Sequence, residues 1–210
     1  MKGMKFYSSL MALTLGAAVS TAAAAEDVIK IGELNSYKAQ PAFLGPYKNG
    51  MELAIEQINE SGGLNGKKVE LVIKDDNATT GDAVRVAEEL ISRDQVDVLT
   101  GTFLSHIGLA VTDFAKQKET FFLAAEPLTD KIVWENGNRY TFRLRPSTYM
   151  QVAALIPEAV KMNKKRWGLV YPNYEYGQSA AATFKKLLKE AQPDVEFVAE
   201  QAAPLGKVDA

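Results

Sequence analysis

Ser105 and His106 are neighbours at the end of the segment Gly101-Thr102-Phe103-Leu104-Ser105. By residue type they are a nucleophile beside a general base. The chemistry does not assemble, because adjacent residues on a strand-to-helix turn point in different directions and a catalytic triad draws its members from separated segments. No G-x-S-x-G elbow is present either. His106 is the sole histidine, so a transition-metal site would lack partners. A cleft-edge or surface position suits it better; facing a cleft, it would help to select an anionic or aromatic ligand. The run Asp75-Asp76-Asn77 invites a metal or acid/base reading, but Asp and Asn after a strand bond nearby backbone N–H groups and so favour loop and helix-cap roles. The stretch from Ile55 to Ser105 carries more. It reads helix, glycine turn, strand, helix, strand, and its last strand opens through Gly101 into a short segment and a new helix. That is where α/β proteins place small-molecule sites.

The elements that would position such a site follow from periodicity. Val28 to Leu34 alternates apolar residues and reads as a strand. Tyr37 to Gly45 reads as irregular, and a helix is expected from Pro46, with Met51, Ala54, Ile55 and Ile58 on one face. Gly62-Gly63 ends that helix, and Asn65-Gly66 turns the chain into a strand over 68–74. A helix over 82–93, a strand over 96–100 and, after Ser105, a helix beginning near Ile107 and running to Lys118 come next. They are followed by a strand over 120–124, a short helix over 128–134 and a strand over 140–144. A second run begins at Ser147: helix, strand 167–171, helix 176–191, strand 195–200. This alternation predicts a doubly wound parallel sheet with helices on both faces.

With 47% hydrophobic and 24% charged residues, the 210-residue chain can bury a core. Its net charge of −2 and lack of a basic run give no electrostatic basis for nucleic-acid binding. Residues 1–25 read as a cleavable export leader: Lys2 and Lys5, an apolar stretch from Phe6 to Val19, then Ala23-Ala24-Ala25. The apolar stretch is shorter than the roughly 20 residues that span a bilayer. No membrane insertion is therefore expected after cleavage. The chain has no cysteine, which excludes disulfides, thiolate metal sites and a lipid-modified N-terminal cysteine. A periplasmic location is expected, with no metal and no cofactor.

A run of segments in order carries a family resemblance: IKIG, a helix ending INESGGLNGKKVEL, the Asp75-Asp76 turn, VDVLTG, YTFRLRPS and YEYGQS over 174–179. The chain resembles the periplasmic solute-binding components of ABC transporters, in the branch similar to leucine/isoleucine/valine-binding proteins. The resemblance covers residues 28 to 210 and implies a type I periplasmic binding fold, two α/β lobes closing on a ligand. It implies an amino acid of branched-chain type, or a similar small carboxylate, as ligand and an inner-membrane ABC permease as partner. It also implies no enzymatic activity. Residue by residue, Ser105 matches the serine whose hydroxyl and neighbouring backbone groups hold the ligand carboxylate. As an N-cap at a helix mouth, Ser105 would also sit at an anion site. Phe103 and Phe43 match apolar and aromatic pocket positions, Leu104 lies between Phe103 and Ser105, and Tyr176 matches a tyrosine from the second lobe. Ala125 and Glu126 would line the cleft through backbone groups. The loop 123–129 departs from the family pattern, its threonine has no secure match, and Glu126 brings a carboxylate that could pair with a ligand cation or face solvent.

The division expected is a leader over 1–25, a first lobe over 26–146 and the start of a second lobe over 147–210. Since domains typically take roughly 100–150 residues each, the second lobe is expected to be incomplete and the chain a fragment. Two rival functions remain at this stage: a ligand-sensing domain of the same fold, and a secreted hydrolase using Ser105 and His106.

Overall fold

The computed structural model of the protein describes residues 28–205, so the leader expected at 1–25 lies outside the described residues. Seven strands and five α-helices alternate: β1 (Ile29–Asn35), α1 (Pro41–Glu60), β2 (Val69–Asp75), α2 (Thr80–Ser92), β3 (Val98–Gly101), α3 (Ser105–Lys118), β4 (Phe122–Ala124), β5 (Thr141–Arg143), α4 (Thr148–Lys161), β6 (Arg166–Pro172), α5 (Glu175–Ala191) and β7 (Glu196–Ala203). A 3-10 turn at Asp130–Ile132 replaces the short helix expected over 128–134.

β1 to β5 form one sheet in the order β2-β1-β3-β4-β5, and β6 pairs with β7 in a second. Every pairing is parallel. Strand side chains alternate between the two faces, and the faces are covered differently. Leu34, Leu99 and Phe122 point to the side where Val86 and Leu90 of α2 and Ile107 and Val111 of α3 close the core. The opposite face carries Ile31, Val98 and Leu123 under Tyr47 and Met51 of α1. Helices on both faces make the sheet doubly wound, as periodicity predicts. In the second sheet, Trp167, Phe197 and Val195 pack with Phe184 and Leu188 of α5 and Ile156 of α4.

The start of α1 departs from expectation. The stretch Tyr37 to Gly45 is helical from Pro41 onward. Pro41 sits in the first turn, where a missing N–H costs nothing, whereas Pro46 lies inside the helix and forfeits one backbone bond. Leu44 is buried in this early turn. Asp75 and Asp76 do loop chemistry: Asp75 accepts the N–H groups of Lys38 (2.8 Å) and Asn77 (2.7 Å), and Asp76 accepts from the Ser36 hydroxyl (2.6 Å) and the Ala78 N–H (2.9 Å).

Two features at the carboxyl ends of the central strands shape everything above them. Gly101 ends β3 at φ +114°, and a Cβ there would lie 2.3 Å from the Leu34 carbonyl oxygen and 2.8 Å from Glu33 Oε1. Glu33 itself is fully buried on the α1 face, where it accepts from the Tyr37 hydroxyl (2.7 Å) and the Asn35 side-chain amide (3.2 Å). Burial pushes its carboxyl up to about 8, against the lowering effect of those two hydrogen bonds and with help from nearby Asp76.

Replacing Gly101 with alanine should lower the free energy of unfolding by roughly 1–3 kcal/mol or more in urea titrations, because the new Cβ meets backbone in a left-handed conformation. Gly50→Ala, where a Cβ on α1 meets nothing within 4 Å, should be neutral or stabilising. The folded chain also holds the Glu33 proton to higher pH than the unfolded chain. Folding therefore takes up a proton between the ordinary 4.5 and about 8, and this group's contribution to stability falls as pH rises through that window. Melting temperatures measured across that range should decline less for Glu33→Gln than for the parent chain.

Candidate functional site

In a parallel sheet all strands deliver their chains to the same edge, and here those carboxyl ends converge on one cleft. Phe103 and Ser105 follow β3, Glu126 and Leu128 follow β4, Arg145 follows β5, Tyr174 and Tyr176 follow β6, and Phe43 comes from the first turn of α1. Together they line a cavity of about 260 Å³. Phe43, Phe103, Ser105, Glu126 and Tyr176 are thus brought together as sequence reasoning expected. Leu104 is buried in the core, and Ala125 borders the apolar groove on the α1 face instead of the cleft. His106 lies behind the cleft wall, edge-on to the Tyr174 ring at 5.8 Å.

The role of Ser105 differs from a helix cap. Leu104 occupies the N-cap position of α3, without a side-chain cap bond, and Ser105 is the first helical residue. Its hydroxyl oxygen accepts the N–H groups of Leu128 and Thr129, each at 3.2 Å. The loop after β4 folds back over the start of α3 and brings those amides to the serine. Ser105 therefore ties two cleft-forming loops together, and its hydroxyl proton remains as a donor. The first N–H groups of α3 have no intrahelical partner and, with the helix dipole, favour negative charge beside them. The turn from β3 into α3 is sharp: Thr102 has φ +59° and donates its N–H to the Leu34 carbonyl at 2.8 Å.

Glu126 and Arg145 form an ion pair in the cleft wall. Arg145 is a residue that sequence reasoning passed over, although it sits inside the YTFRLRPS motif; so are Leu128 and Tyr174. The rest of the wall is aromatic. The Phe43 and Phe103 rings lie 5.8 Å apart, and those of Tyr174 and Tyr176 lie 6.0 Å apart. Burial raises the Tyr174 phenol, with Tyr176 adding to the effect, so it stays a neutral donor. His106 is held below its ordinary value by burial, partly offset by Glu175. Its Nδ1 is buried without a hydrogen bond, and among the described residues no hydrogen bond joins it to Ser105. The arrangement suits recognition of a ring and a carboxylate. It does not assemble a nucleophile and base.

A second polar set joins the two sheets beside the cleft. Asp130, at the 3-10 turn, accepts from the Thr148 hydroxyl (2.6 Å) and the Tyr149 N–H (3.0 Å), and Thr148 in turn bonds Ser179 of α5 at 2.7 Å. Thr129, the threonine left unmatched by the family pattern, is buried and donates its hydroxyl to Glu175 at 2.8 Å. Lys131 pairs with the same carboxylate at 3.1 Å. Among the described residues no group of three or more acidic or histidine side chains could hold a metal, and no helix is long and apolar enough to cross a membrane.

Comparison with known proteins places this architecture. The sequence profile of a family described as "Periplasmic binding protein" matches residues 28–210. A "Leu/Ile/Val-binding protein homolog 7" of Brucella suis biovar 1 is 30% identical over 211 residues, covering 95% of this chain and 52% of that protein. A solute-binding protein of an ABC transporter from Rhodopseudomonas palustris, solved with 3,4-dihydroxybenzoic acid, superposes with a TM-score of 0.78 at 26% identity, over 88% of this chain and 49% of that one. The branched-chain amino acid transporter substrate-binding protein LivJ from Streptococcus pneumoniae, solved with isoleucine, gives a TM-score of 0.75 at 25% identity, over 87% and 51%. The chain spans about half the length of the curated relatives it matches.

Proposed function

This chain belongs to the periplasmic binding protein family, and on that premise we propose that it captures a small carboxylate-bearing solute, an amino acid or an aromatic acid, for uptake through an inner-membrane ABC permease. The observation that carries this reading is the cleft itself. Loops from the carboxyl ends of β3, β4, β5 and β6 meet there, with one guanidinium and four aromatic rings around a ring-sized space. Family membership supports capture over catalysis and a periplasmic location. The relatives that carry Leu/Ile/Val-binding names, and the neighbours solved with isoleucine and with 3,4-dihydroxybenzoic acid, support a carboxylate ligand.

In this reading residues 26–146 and 147–210 contribute to opposite walls. Ser105 and the first turn of α3 offer donors to the carboxylate, Phe43 and Phe103 stack on the apolar part of the solute, and Tyr176 reaches over it from the second sheet. Closing such walls on a solute adds contacts from both sides, so affinity reports how far the ligand favours the closed arrangement.

Calorimetric titration of the chain with amino acids and aromatic acids tests the proposal, and saturating binding to at least one class is expected. Phe43 is 67% exposed, so Phe43→Ala should leave the unliganded melting temperature within about a degree or two. It should weaken the bound carboxylate roughly tenfold or more, as loss of an aromatic anchor does. Unchanged affinity in that variant would remove Phe43 from the site.

A further inference from the structure

Resting on the reading of the cleft as a solute-capture site, we infer that Thr129 is a positioning residue. Through its hydroxyl bond to Glu175 it ties the Ser105 wall to the turn carrying Tyr174 and Tyr176, and so sets how tightly a solute is held between them. Thr129 does not line the cavity but is fully buried behind it, and its polar groups go to three different elements. Its N–H donates to the Ser105 hydroxyl oxygen at the start of α3 (3.2 Å). Its carbonyl accepts the Arg143 guanidinium from β5. Its hydroxyl donates to Glu175 Oε1 at the start of α5 (2.8 Å).

The start of α5 needs such a tie. Tyr174 occupies its N-cap position without a side-chain cap bond, so the chemistry that usually fastens a helix entry is missing there. Tyr174 and Tyr176 flank Glu175 in sequence, and both line the cavity. Whatever holds the Glu175 side chain therefore bears on both rings. Lys131 reaches the same carboxylate at 3.1 Å, but its side chain is 44% exposed and such a pair is weak. The threonine hydroxyl is fully buried, and a hydrogen bond to a carboxylate away from water is of the stronger, directional kind. The Asp130–Thr148–Ser179 set grips α5 one turn further along, which leaves Glu175 as the link that falls between two lining residues.

The bonds run in series from Ser105 through Thr129 to Glu175. A solute that engages Ser105 on one side and Tyr176 on the other spans a gap that this series holds at one width. The two bonds are also separable. Removing the Thr129 hydroxyl leaves its backbone N–H on Ser105, so the loss falls on the tyrosine side alone. His106, the residue after Ser105, meets the Tyr174 ring edge-on, and the start of α3 touches the same turn by that second route. A ring contact of this kind permits sliding that the hydroxyl bond does not.

The test titrates the parent chain with L-leucine, L-phenylalanine and 4-hydroxybenzoate. The tightest of the three is then carried to Thr129→Val, Thr129→Ser and Glu175→Ala, after thermal melts confirm folding. Thr129→Val keeps the shape and loses the hydroxyl, and should weaken that probe about fivefold or more. Thr129→Ser keeps the hydroxyl and should stay within about twofold of the parent. Glu175→Ala should match Thr129→Val, and combining the two should cost no more than either alone. In a Tyr176→Ala background Thr129→Val should cost about twofold or less, because the ring it positions is gone. A threonine that only stabilises the fold would weaken the probe equally in both backgrounds. That result would overturn the inference while leaving solute capture standing. So would parental affinity in folded Thr129→Val, or a Thr129→Ser as weak as Thr129→Val. Should Thr129→Val not fold, Glu175→Ala decides by the same comparison with and without Tyr176→Ala. A folded parent chain that binds none of the three would instead overturn the capture reading itself.

Discussion

The structure depends on a constraint of parallel sheets: strand ends that converge on one edge must each be turned away within a few residues. At the centre of this sheet the turn is made by Gly101 and Thr102, both with positive φ, directly above the buried Glu33. The chain leaving that turn starts α3 at Ser105, whose hydroxyl gathers the amides of Leu128 and Thr129. Two loops that would otherwise move independently become one wall. Phe103, Glu126 and Leu128 of the cleft lining sit on these two tied loops.

Much of the fold was legible because it rests on local periodicity. The alternation of Val28 to Leu34 and the apolar stripe of α2 read correctly to within a residue or two. The start of α1 did not, because Pro41 and Gly45 look like punctuation. Only tertiary packing of Leu44 shows that the first turn is already wound. β4 and β5 are three residues each, shorter than their apolar runs, and Phe121 and Leu144 each contribute a single backbone bond at the ladder's ends, from the Leu99 N–H to the Phe121 carbonyl (2.9 Å) and from the Leu144 N–H to the Ala124 carbonyl (3.1 Å).

The cleft was partly legible. Ser105, Phe103 and Phe43 could be found from the order of motifs, and Tyr176 from its place before a helix. The helix-cap role for Ser105 was a plausible local rule that lost to a longer-range one, since the partner amides lie more than twenty residues away in the chain. Arg145 was invisible as a site residue for a related reason: only the register of β4 against β5 sets it beside Glu126. A charge in a strand-ending motif signals a partner, but sequence alone does not say which.

The same strand order bears on how the molecule is reached from its unfolded chain. Among the described residues no two of the seven strands are joined by a hairpin, and β1 meets β3 only after the whole α1-β2-α2 excursion; Lys30 and Asp97, which bond across that pairing, are 67 residues apart. The central ladder cannot form until that long loop has closed, and its closure entropy is spent before any contact rewards it. Folding should accordingly be slow for a chain of this size. The newly made polypeptide stays extended, and open to whatever handles unfolded chains, for longer than a helical protein of equal length would.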